Sequence, residues 1–234
     1  MKTRPRRCLA VGMFTLIACG TNLSQAAPGA WMTIERDNLC VTEGAIEKGS
    51  GDRLRVDAPK MRAYATVATA QSVEMRFIYS GPTSKEARLG SGEMRRQFGL
   101  KLHALDACNL VYAIWRIEPE SRLAVSVKRN PGAHSSAECG NRGYQNIRPR
   151  KASAVPRLTP GQSHTLRAEM KRDELRVFVD NHEVWQGSVG ADAATLAGPV
   201  GMRSDNAQLE FDLKARKPEG TAGQEKPCKA GDSD

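Results

Sequence analysis

The sequence lacks a hydrophobic segment long enough to form a permanent membrane span. Its most apolar run, residues 8–18, is shorter than the roughly 20 residues that a transmembrane helix needs, and no later segment is as apolar. From Arg62 onward the helical spacing of apolar residues is nearly absent, and no stretch of the chain repeats another. These absences argue against a membrane-spanning chain, a helical fold and a repeat architecture.

Patterns typical of metal sites are also missing. No CxxC or HxxxH spacing occurs, and the four histidines, His103, His134, His164 and His182, are dispersed along the chain. Structural and catalytic zinc sites depend on such closely spaced ligands. We therefore predict no metal site and no cofactor.

Residues 1–26 have the pattern of an export signal. Basic residues come before the apolar run, and small residues follow it. Two processing routes stay open. Cleavage after Ala26 would release a secreted or periplasmic protein, whereas the LIAC sequence at residues 16–19 resembles a bacterial lipobox, in which Cys19 of a lipoprotein carries the lipid. We predict an exported protein that contacts a membrane only through such an anchor.

The chain is basic, with a formal net charge of +9. Residues 1–26 contribute four positive charges and no negative ones, so a charge of about +5 remains after removal of the signal. This excess suits acidic polymers such as anionic glycans, although a solvated basic surface has the same composition. Nucleic acid is not an expected partner of an exported protein. The remaining length suits one all-β domain, whose oligomeric state stays open.

Four cysteines follow the predicted signal: Cys40, Cys108, Cys139 and Cys228. Export permits disulfides, and four cysteines allow three pairings. We favour Cys108 with Cys139, which flank two predicted strands, and Cys40 with Cys228, which would join the two ends of the domain. A catalytic pair of Cys139 with His134 is the alternative, and it needs a free thiol that the available partner Cys108 would remove.

Apolar and polar residues alternate along most of the chain after Arg62, as they do in half-buried β-strands. Four such runs are residues 73–80, 96–103, 109–117 and 122–128. We expect these four to form one antiparallel sheet with a polar outer face. The side chains predicted on that face are Arg76, Gln97, Lys101, His103, Tyr112, Arg116 and Lys128. A tight turn at Arg172-Asp173 is expected between two later strands.

The pattern predicts a simple domain layout. Residues 27–61 are expected to join the domain, residues 62–215 to form it, and residues 216–234 to be a tail. The tail has no apolar face, so we predict that it is disordered unless Cys228 holds it.

Residues 164–213 carry a recognisable pattern that includes VFVDNHEVW and GPVGMRSDNA. This resembles the C-terminal half of the concanavalin A-like lectin/glucanase (jelly-roll) superfamily, and LKLHALDACNLVYAIWRI is similar to its central strand pair. The resemblance implies an all-β, antiparallel jelly-roll β-sandwich with a single domain. It also implies a concave sheet whose outward side chains line a groove. Members bind sugars, cleave glycans or mediate contacts, so the fold alone does not define the function.

The polar face and the loop at residues 130–147 predict a ligand. Basic side chains make charge-assisted hydrogen bonds to carboxylates or sulfates, and a tyrosine ring stacks on a sugar. The polar loop residues expected to add contacts at the groove mouth are His134, Asn141, Arg142 and Tyr144. We therefore predict carbohydrate binding. The expected partner is a saccharide, for which the basic side chains favour an acidic one, or another cell-envelope component. A half-solvated sheet face without a ligand is the alternative interpretation.

Catalytic residues are not identified. Glucanases of the resembled superfamily carry an ExDxxE pattern, but here Glu210-Phe211-Asp212 is followed by Leu213-Lys214-Ala215, so the second glutamate is missing. A polysaccharide lyase remains an alternative, because Gln97, His103, Tyr112 and Arg116 have the chemistry that β-elimination needs. A structural or interaction protein of the envelope is the other alternative.

Overall fold

The computed structural model describes residues 29–66, 70–216 and 226–228. The predicted export signal, the lipidation candidate Cys19 and most of the predicted C-terminal tail lie outside the described residues. Within the described ranges, none of the helices has the length and apolar character needed to cross a membrane.

Sixteen short strands and three single-turn helices make up the described chain. The strands are β1 (Trp31–Thr33), β2 (Leu39–Glu43), β3 (Glu47–Lys48), β4 (Leu54–Val56), β5 (Lys60–Ala65), β6 (Ser72–Pro82), β7 (Arg96–Leu102), β8 (Leu110–Glu118), β9 (Arg122–Lys128), β10 (Tyr144–Asn146), β11 (Lys151–Ala152), β12 (Ser163–Lys171), β13 (Glu174–Val179), β14 (His182–Ser188), β15 (Gly201–Asp205) and β16 (Ala207–Arg216). The helices are a 3₁₀ turn at Arg36–Asn38, α1 (Ser136–Cys139) and α2 (Ala191–Ala194).

The strands form two antiparallel sheets. The nine-stranded sheet has the order β11-β14-β13-β12-β6-β16-β4-β3, with β1 also paired to β16. The seven-stranded sheet has the order β10-β9-β8-β7-β15-β5-β2. All pairings are antiparallel, which confirms the predicted all-β antiparallel sandwich.

The core lies between the two sheets and is built from the alternating apolar faces of their strands. Phe77 of the nine-stranded sheet meets Phe98 of the seven-stranded sheet with 4.6 Å between ring centroids, and its centroid is 5.8 Å from that of Trp115. All three rings are fully buried. Offset and edge-on aromatic contacts of this kind stabilise a core beyond the burial of their area.

One predicted sheet assignment is wrong. Strand β6, which carries Arg76, pairs with β12 and β16 in the nine-stranded sheet and does not neighbour β7. The connection from β6 to β7 crosses from one layer to the other. Alternation reveals which side chains face the core, but it does not reveal which of two stacked sheets a strand joins. Arg76 therefore lies on the outer face opposite to Gln97 and Arg116.

Several local predictions are confirmed. Arg172 and Asp173 form the two-residue connection between β12 and β13, where Arg172 adopts a φ of 58°. Both favoured disulfides are present, Cys40 with Cys228 and Cys108 with Cys139. Cys139 is therefore no free thiol, and its proposed catalytic pairing with His134 is excluded.

Candidate functional site

Polar and aromatic side chains gather on the outer face of the seven-stranded sheet. Gln97 and Lys101 of β7, Tyr112 and Arg116 of β8 and Lys128 of β9 all point away from the core face that carries Phe98 and Trp115. The registers place Lys101 opposite Tyr112, and Gln97 opposite Arg116. The sequence prediction therefore brought together five side chains that do share one surface.

Strands β5 and β15 add three more side chains to this surface. Arg62 lies opposite Arg203 in the β5–β15 pair, and Asp205 is two residues further along β15. Gly99 of β7 lies directly opposite Arg203 in the β15–β7 pair. An alanine methyl group at Gly99 would come within 2.2 Å of the carbonyl oxygen of Ala113. Only glycine fits there, because the backbone of Ala113 and Ile114 occupies the position that a side chain would need.

Asp205 is the centre of a buried ionic network. Its Oδ1 accepts a hydrogen bond from Arg62 Nη2 at 2.6 Å. Its Oδ2 accepts from Gln97 Nε2 and from Arg203 Nε, each at 2.8 Å. The carboxylate has no solvent exposure. A buried charge is tolerated only when it is paired and hydrogen-bonded, and here both oxygens are satisfied.

The network fixes the ionisation of Asp205. Burial alone would raise the pKa of this carboxyl group, but the positive charges of Arg203 and Arg62 and the hydrogen bond from Gln97 lower it to about 2. Asp205 is thus a carboxylate at neutral pH. The hydrogen bond from Arg203 Nε to this carboxylate helps to orient the Arg203 side chain, whose Nη1 contacts a tyrosine hydroxyl.

Tyr112 and Tyr144 form a stacked pair beside Arg203. Their ring centroids are 6.1 Å apart with an interplanar angle of 22°. Arg203 lies 5.4 Å from the Tyr112 centroid, and its Nη1 donates to the Tyr144 hydroxyl at 3.4 Å. Tyr112 is buried, whereas Tyr144 is 41% exposed and is the part of the pair that a ligand can reach. Burial opposes ionisation of Tyr144, but the charges of Arg203 and Lys128 outweigh it and lower the Tyr144 pKa.

Positive charge is crowded on this face. Lys101 and Lys128 are only 1% and 2% exposed. Burial first, and then the charges of Arg62 and Arg203, hold the pKa of Lys101 well below its usual value. Lys128 Nζ donates to the carbonyl of Ala107 at 3.0 Å and lies 5.2 Å from the Tyr144 centroid. A nearby anion would relieve this electrostatic cost.

Two adjoining cavities open on the surface. The first, here called the Arg116 chamber, has a volume of about 290 Å³ and is lined by Gln97, Tyr112, Arg116 and other side chains of β7–β9. The second, the Lys128 chamber, has a volume of about 350 Å³ and includes Arg62 and Lys128 in its wall. The residues common to both walls are Leu89, Gly90, Asn141, Tyr144 and Arg203.

Arg116 is the least satisfied basic group of the face. Its Nε is buried and has no hydrogen-bond partner within the described parts of the chain. Burial, followed by the positive charges of Arg95 and Arg122, lowers its pKa. Arg95 itself is paired with Glu93 at 2.6 Å on the rim of the Arg116 chamber. The guanidinium of Arg116 is therefore available to an anionic ligand.

Four of the predicted site residues lie away from this face, and a fifth, Lys101, lies on it but lines neither chamber. Arg76 is on the outer face of the nine-stranded sheet, beside a separate cavity that also contains Asp212 and Lys214. His103 follows β7 with a φ of 51°, and its Nδ1 lies 2.6 Å from the carbonyl oxygen of Leu196. Both residues are absent from the walls of the two chambers.

The side chains of His134 and Arg142 contact Asp106 and the backbone of their own loop. His134 Nδ1 is 2.8 Å from Asp106 Oδ2, and this contact raises the His134 pKa. Arg142 donates to the backbone carbonyls of Glu138 and Cys139. Neither side chain lines a chamber, and the loop instead contributes Asn141 and Tyr144.

The sequence prediction missed Arg62, Arg203 and Asp205 as site residues. A usable signal existed for all three, because Met61 and Met202 are apolar and their polar neighbours alternate with them. GMRSDNA predicts a short strand with Met202 facing inward and a turn at Asp205-Asn206, and strand β15 extends through Asp205. Asn141 was predicted at the groove mouth with the other polar residues of its loop, and its side chain lines both chambers. In the described ranges, no group of three or more His, Cys, Asp or Glu side chains is arranged to hold a metal ion.

Comparisons with known proteins show the fold. No family model matches the chain, and no curated protein matches it. Among solved structures, it is similar to a putative glycosyl hydrolase from Parabacteroides distasonis, with 11% identity, coverage of 80% of this chain and 99% of that chain, and a TM-score of 0.50. It is also similar to the carbohydrate binding module CBM66 from Bacillus subtilis, with 12% identity, coverage of 79% and 92%, and a TM-score of 0.48. Likeness at such low identity establishes the β-sandwich and leaves the ligand to the chemistry of the site.

Proposed function

We propose that the outer face of the seven-stranded sheet binds an acidic saccharide, in the two chambers that adjoin at Arg203. The observation that carries this proposal is the buried Arg116 Nε, which lacks a partner among the described residues and lies next to Arg203 and the stacked tyrosines. A sugar carboxylate or sulfate can accept hydrogen bonds from a guanidinium, and the charge on both partners makes those bonds strong.

The charges of the face support an anionic ligand over a neutral one. Asp205 is neutralised within its own network by Arg62 and Arg203. Arg116 and Lys128 then remain as positive groups facing the chambers, with Glu43 and Glu93 on the rims. Burial strengthens charge–charge interactions because the local dielectric is low, so an anion inside the chambers gains more than one at an open surface.

The shape of the face supports a sugar. Each chamber is near the lower end of the roughly 300–1,000 Å³ range of small-molecule sites. The accessible Tyr144 ring, backed by Tyr112, offers a flat apolar surface, and its hydroxyl offers a hydrogen bond. Sugars combine an apolar ring face with polar edges, and aromatic side chains with a polar tip suit both.

The proposed location of this activity is the periplasm, the cell surface or the medium. The two disulfides support it, because disulfides persist in oxidising compartments and are rare in the cytosol. A lipid at Cys19 would place the same binding face at a membrane surface.

β-Elimination of a uronate polymer is a second candidate function. The observation in its favour is the lowered pKa of the accessible Tyr144 between Arg203 and Lys128, since such a lyase needs a proton-transferring group beside a bound carboxylate. His103, the histidine that we predicted for this role, lies outside the chambers.

Titration calorimetry with matched acidic and neutral oligosaccharides tests the proposed function. We expect the uronate or sulfated oligosaccharide to bind and its neutral counterpart to bind at least tenfold more weakly, because a charge-assisted hydrogen bond contributes about 1.5–3 kcal/mol. Raising the salt concentration from 0.05 M to 0.5 M should weaken binding of the acidic ligand and leave binding of the neutral one unchanged. Equal affinities for both ligands would contradict the proposal. Ultraviolet absorbance of new unsaturated ends in the same samples would identify the lyase.

A further inference from the structure

Two loops meet above the middle of the binding face. The first connects β6 to β7 and includes Leu89 and Gly90, and the second connects β9 to β10 and includes Asn141. A methyl group on Gly90 would lie only 2.8 Å from Asn141 Nδ2 and 3.0 Å from Asn141 Oδ1. The Asn141 amide therefore packs directly on the Gly90 backbone. We call this contact the roof.

Arg203 lies beneath the roof. Its side chain is 13% exposed although it projects from the outer face of the sheet. Leu89, Gly90, Asn141 and Tyr144 line both chambers together with Arg203. The two loops and the central arginine thus belong to the walls of both chambers.

The first loop is held by a buried asparagine. Asn206 has no solvent exposure, and its Oδ1 accepts a hydrogen bond from the Ala87 amide at 2.8 Å. Its Nδ2 donates to the carbonyl oxygens of Ala87 at 2.9 Å and Arg95 at 2.8 Å. Both ends of the segment that contains Gly90 are fixed in this way to the end of β15.

The second loop is held by a disulfide and by a second buried asparagine. Cys139, which lies two residues before Asn141, forms a disulfide with Cys108. Asn109 is 1% exposed; its Nδ2 donates to the Ala133 carbonyl at 2.9 Å, and its Oδ1 accepts from the Asn130 amide at 3.0 Å. Asn130 Nδ2 in turn donates to the Arg142 carbonyl at 3.0 Å. Anchors on both sides make the roof a fixed part of the site.

We propose that the roof makes the site selective for the free ends of acidic saccharide chains, with Asn141 as the residue that determines this selectivity. This inference rests on the proposed function. A chain that occupies both chambers has to pass between the roof and Arg203, so it enters by an end. An internal segment of a long chain cannot reach Arg203 from the side while Asn141 contacts Gly90. The number of proteins bound to one chain then depends on its ends and not on its length.

The number of proteins bound per chain tests this inference. Oligogalacturonates of defined lengths and long, linear polygalacturonate are titrated with the full protein, and the stoichiometry is measured by analytical ultracentrifugation. We expect a constant number per chain for the wild-type protein, whatever the length. Replacement Asn141→Gly removes the roof contact, and the number per chain should then rise with length. Asn181→Gly, the same substitution at an exposed turn of the nine-stranded sheet, is the control and should behave as wild type.

The outcomes distinguish the two proposals. If the wild-type stoichiometry rises in proportion to chain length, the roof does not exclude internal segments and this inference is overturned, while saccharide binding stands. If Asn141→Gly binds as the wild type does, Asn141 does not determine the selectivity, and the inference is likewise overturned. If neither the short nor the long galacturonates bind, and the sulfated oligosaccharides of the calorimetric test do not bind either, the proposed function is contradicted. The roof inference, which rests on it, is then contradicted as well.

Discussion

Replacement of Asp205 by alanine is expected to lower the free energy of unfolding by about 3–5 kcal/mol, because it leaves Arg62 and Arg203 buried without their common partner. Urea denaturation followed by tryptophan fluorescence measures this change. The matched control is Asp212→Ala on the outer face of the nine-stranded sheet. Its carboxylate is 33% exposed and only 3.8 Å from Arg53 Nε, so we expect a loss within about 1 kcal/mol. Similar losses in both variants would show that the Asp205 network contributes no more to stability than the partly exposed Asp212–Arg53 pair does.

The same network predicts a dependence of stability on pH. The pKa of Asp205 is about 2 in the folded protein, below its usual value of 3.8. A carboxyl group with a depressed folded pKa contributes stability that is present above its unfolded pKa and is lost as the pH falls through the folded pKa. This contribution, about 2 kcal/mol, should therefore disappear between pH 4 and pH 2. In Asp205→Asn this part of the pH dependence should be missing, and an unchanged acid profile would contradict the assignment.

Removal of the Cys108–Cys139 disulfide is expected to lower the free energy of unfolding by about 3–4 kcal/mol and to weaken ligand binding as well. The bond closes a segment with a sequence separation of 31 residues, and closing a segment of that length restricts the unfolded chain by about this amount. The same bond holds the loop that carries Asn141 and Tyr144 over the chambers. Chemical denaturation and oligosaccharide titration of the double variant Cys108→Ala/Cys139→Ala measure the two effects.

The second disulfide provides the control for that variant. Cys40–Cys228 joins β2 to a C-terminal segment, where the Tyr64 hydroxyl also donates to the carbonyl of Pro227 at 3.1 Å. Replacing this pair by alanines should lower stability by at least as much, because the bond spans a longer sequence separation of 188 residues, and should leave the Asn141 loop in place. If both double variants lose affinity equally, the loss reflects general destabilisation and not release of the loop.

The faces of the strands could be predicted from the sequence because alternation of apolar and polar residues directly records burial. Gln97, Lys101, Tyr112 and Arg116 were assigned to one outer surface on this basis, and they do share it. Arg76 follows the same alternation, yet its strand belongs to the opposite sheet. Sheet membership depends on long-range pairing, which local periodicity does not contain.

The ends of the strands were harder to predict than their centres. His103 continues the alternation of β7 in the sequence, but its positive φ of 51° ends the strand and turns its ring toward Leu196. Asp205 was assigned, together with Asn206, to a turn that follows a short predicted strand. The chain there is a strand between β5 and β7, and its backbone pairs on both sides. Tertiary pairing overrides the local turn preference of such residues.

The disulfides could be predicted because the cysteines were few, and because one favoured pair flanks two strands while the other joins the two ends of the domain. The consequence of the Cys108–Cys139 bond for the site could not be predicted. It places Asn141 against Gly90, about fifty residues away in the sequence, and neither residue has a local pattern that indicates the contact. Contacts between anchored loops are defined by the scaffold beneath them.

The affinity of Arg116→Gln for an acidic oligosaccharide tests the central claim most directly. Arg116 Nε has no partner within the described part of the chain. This change should therefore leave the free energy of unfolding nearly unaltered and lower the affinity for the ligand. Arg76→Gln removes the same charge from the opposite sheet and is the matched control. We predict that calorimetric titration shows a loss of affinity of about 10- to 100-fold for Arg116→Gln and none for Arg76→Gln. Equal affinities of the two variants and the wild type would contradict an acidic saccharide site on this face.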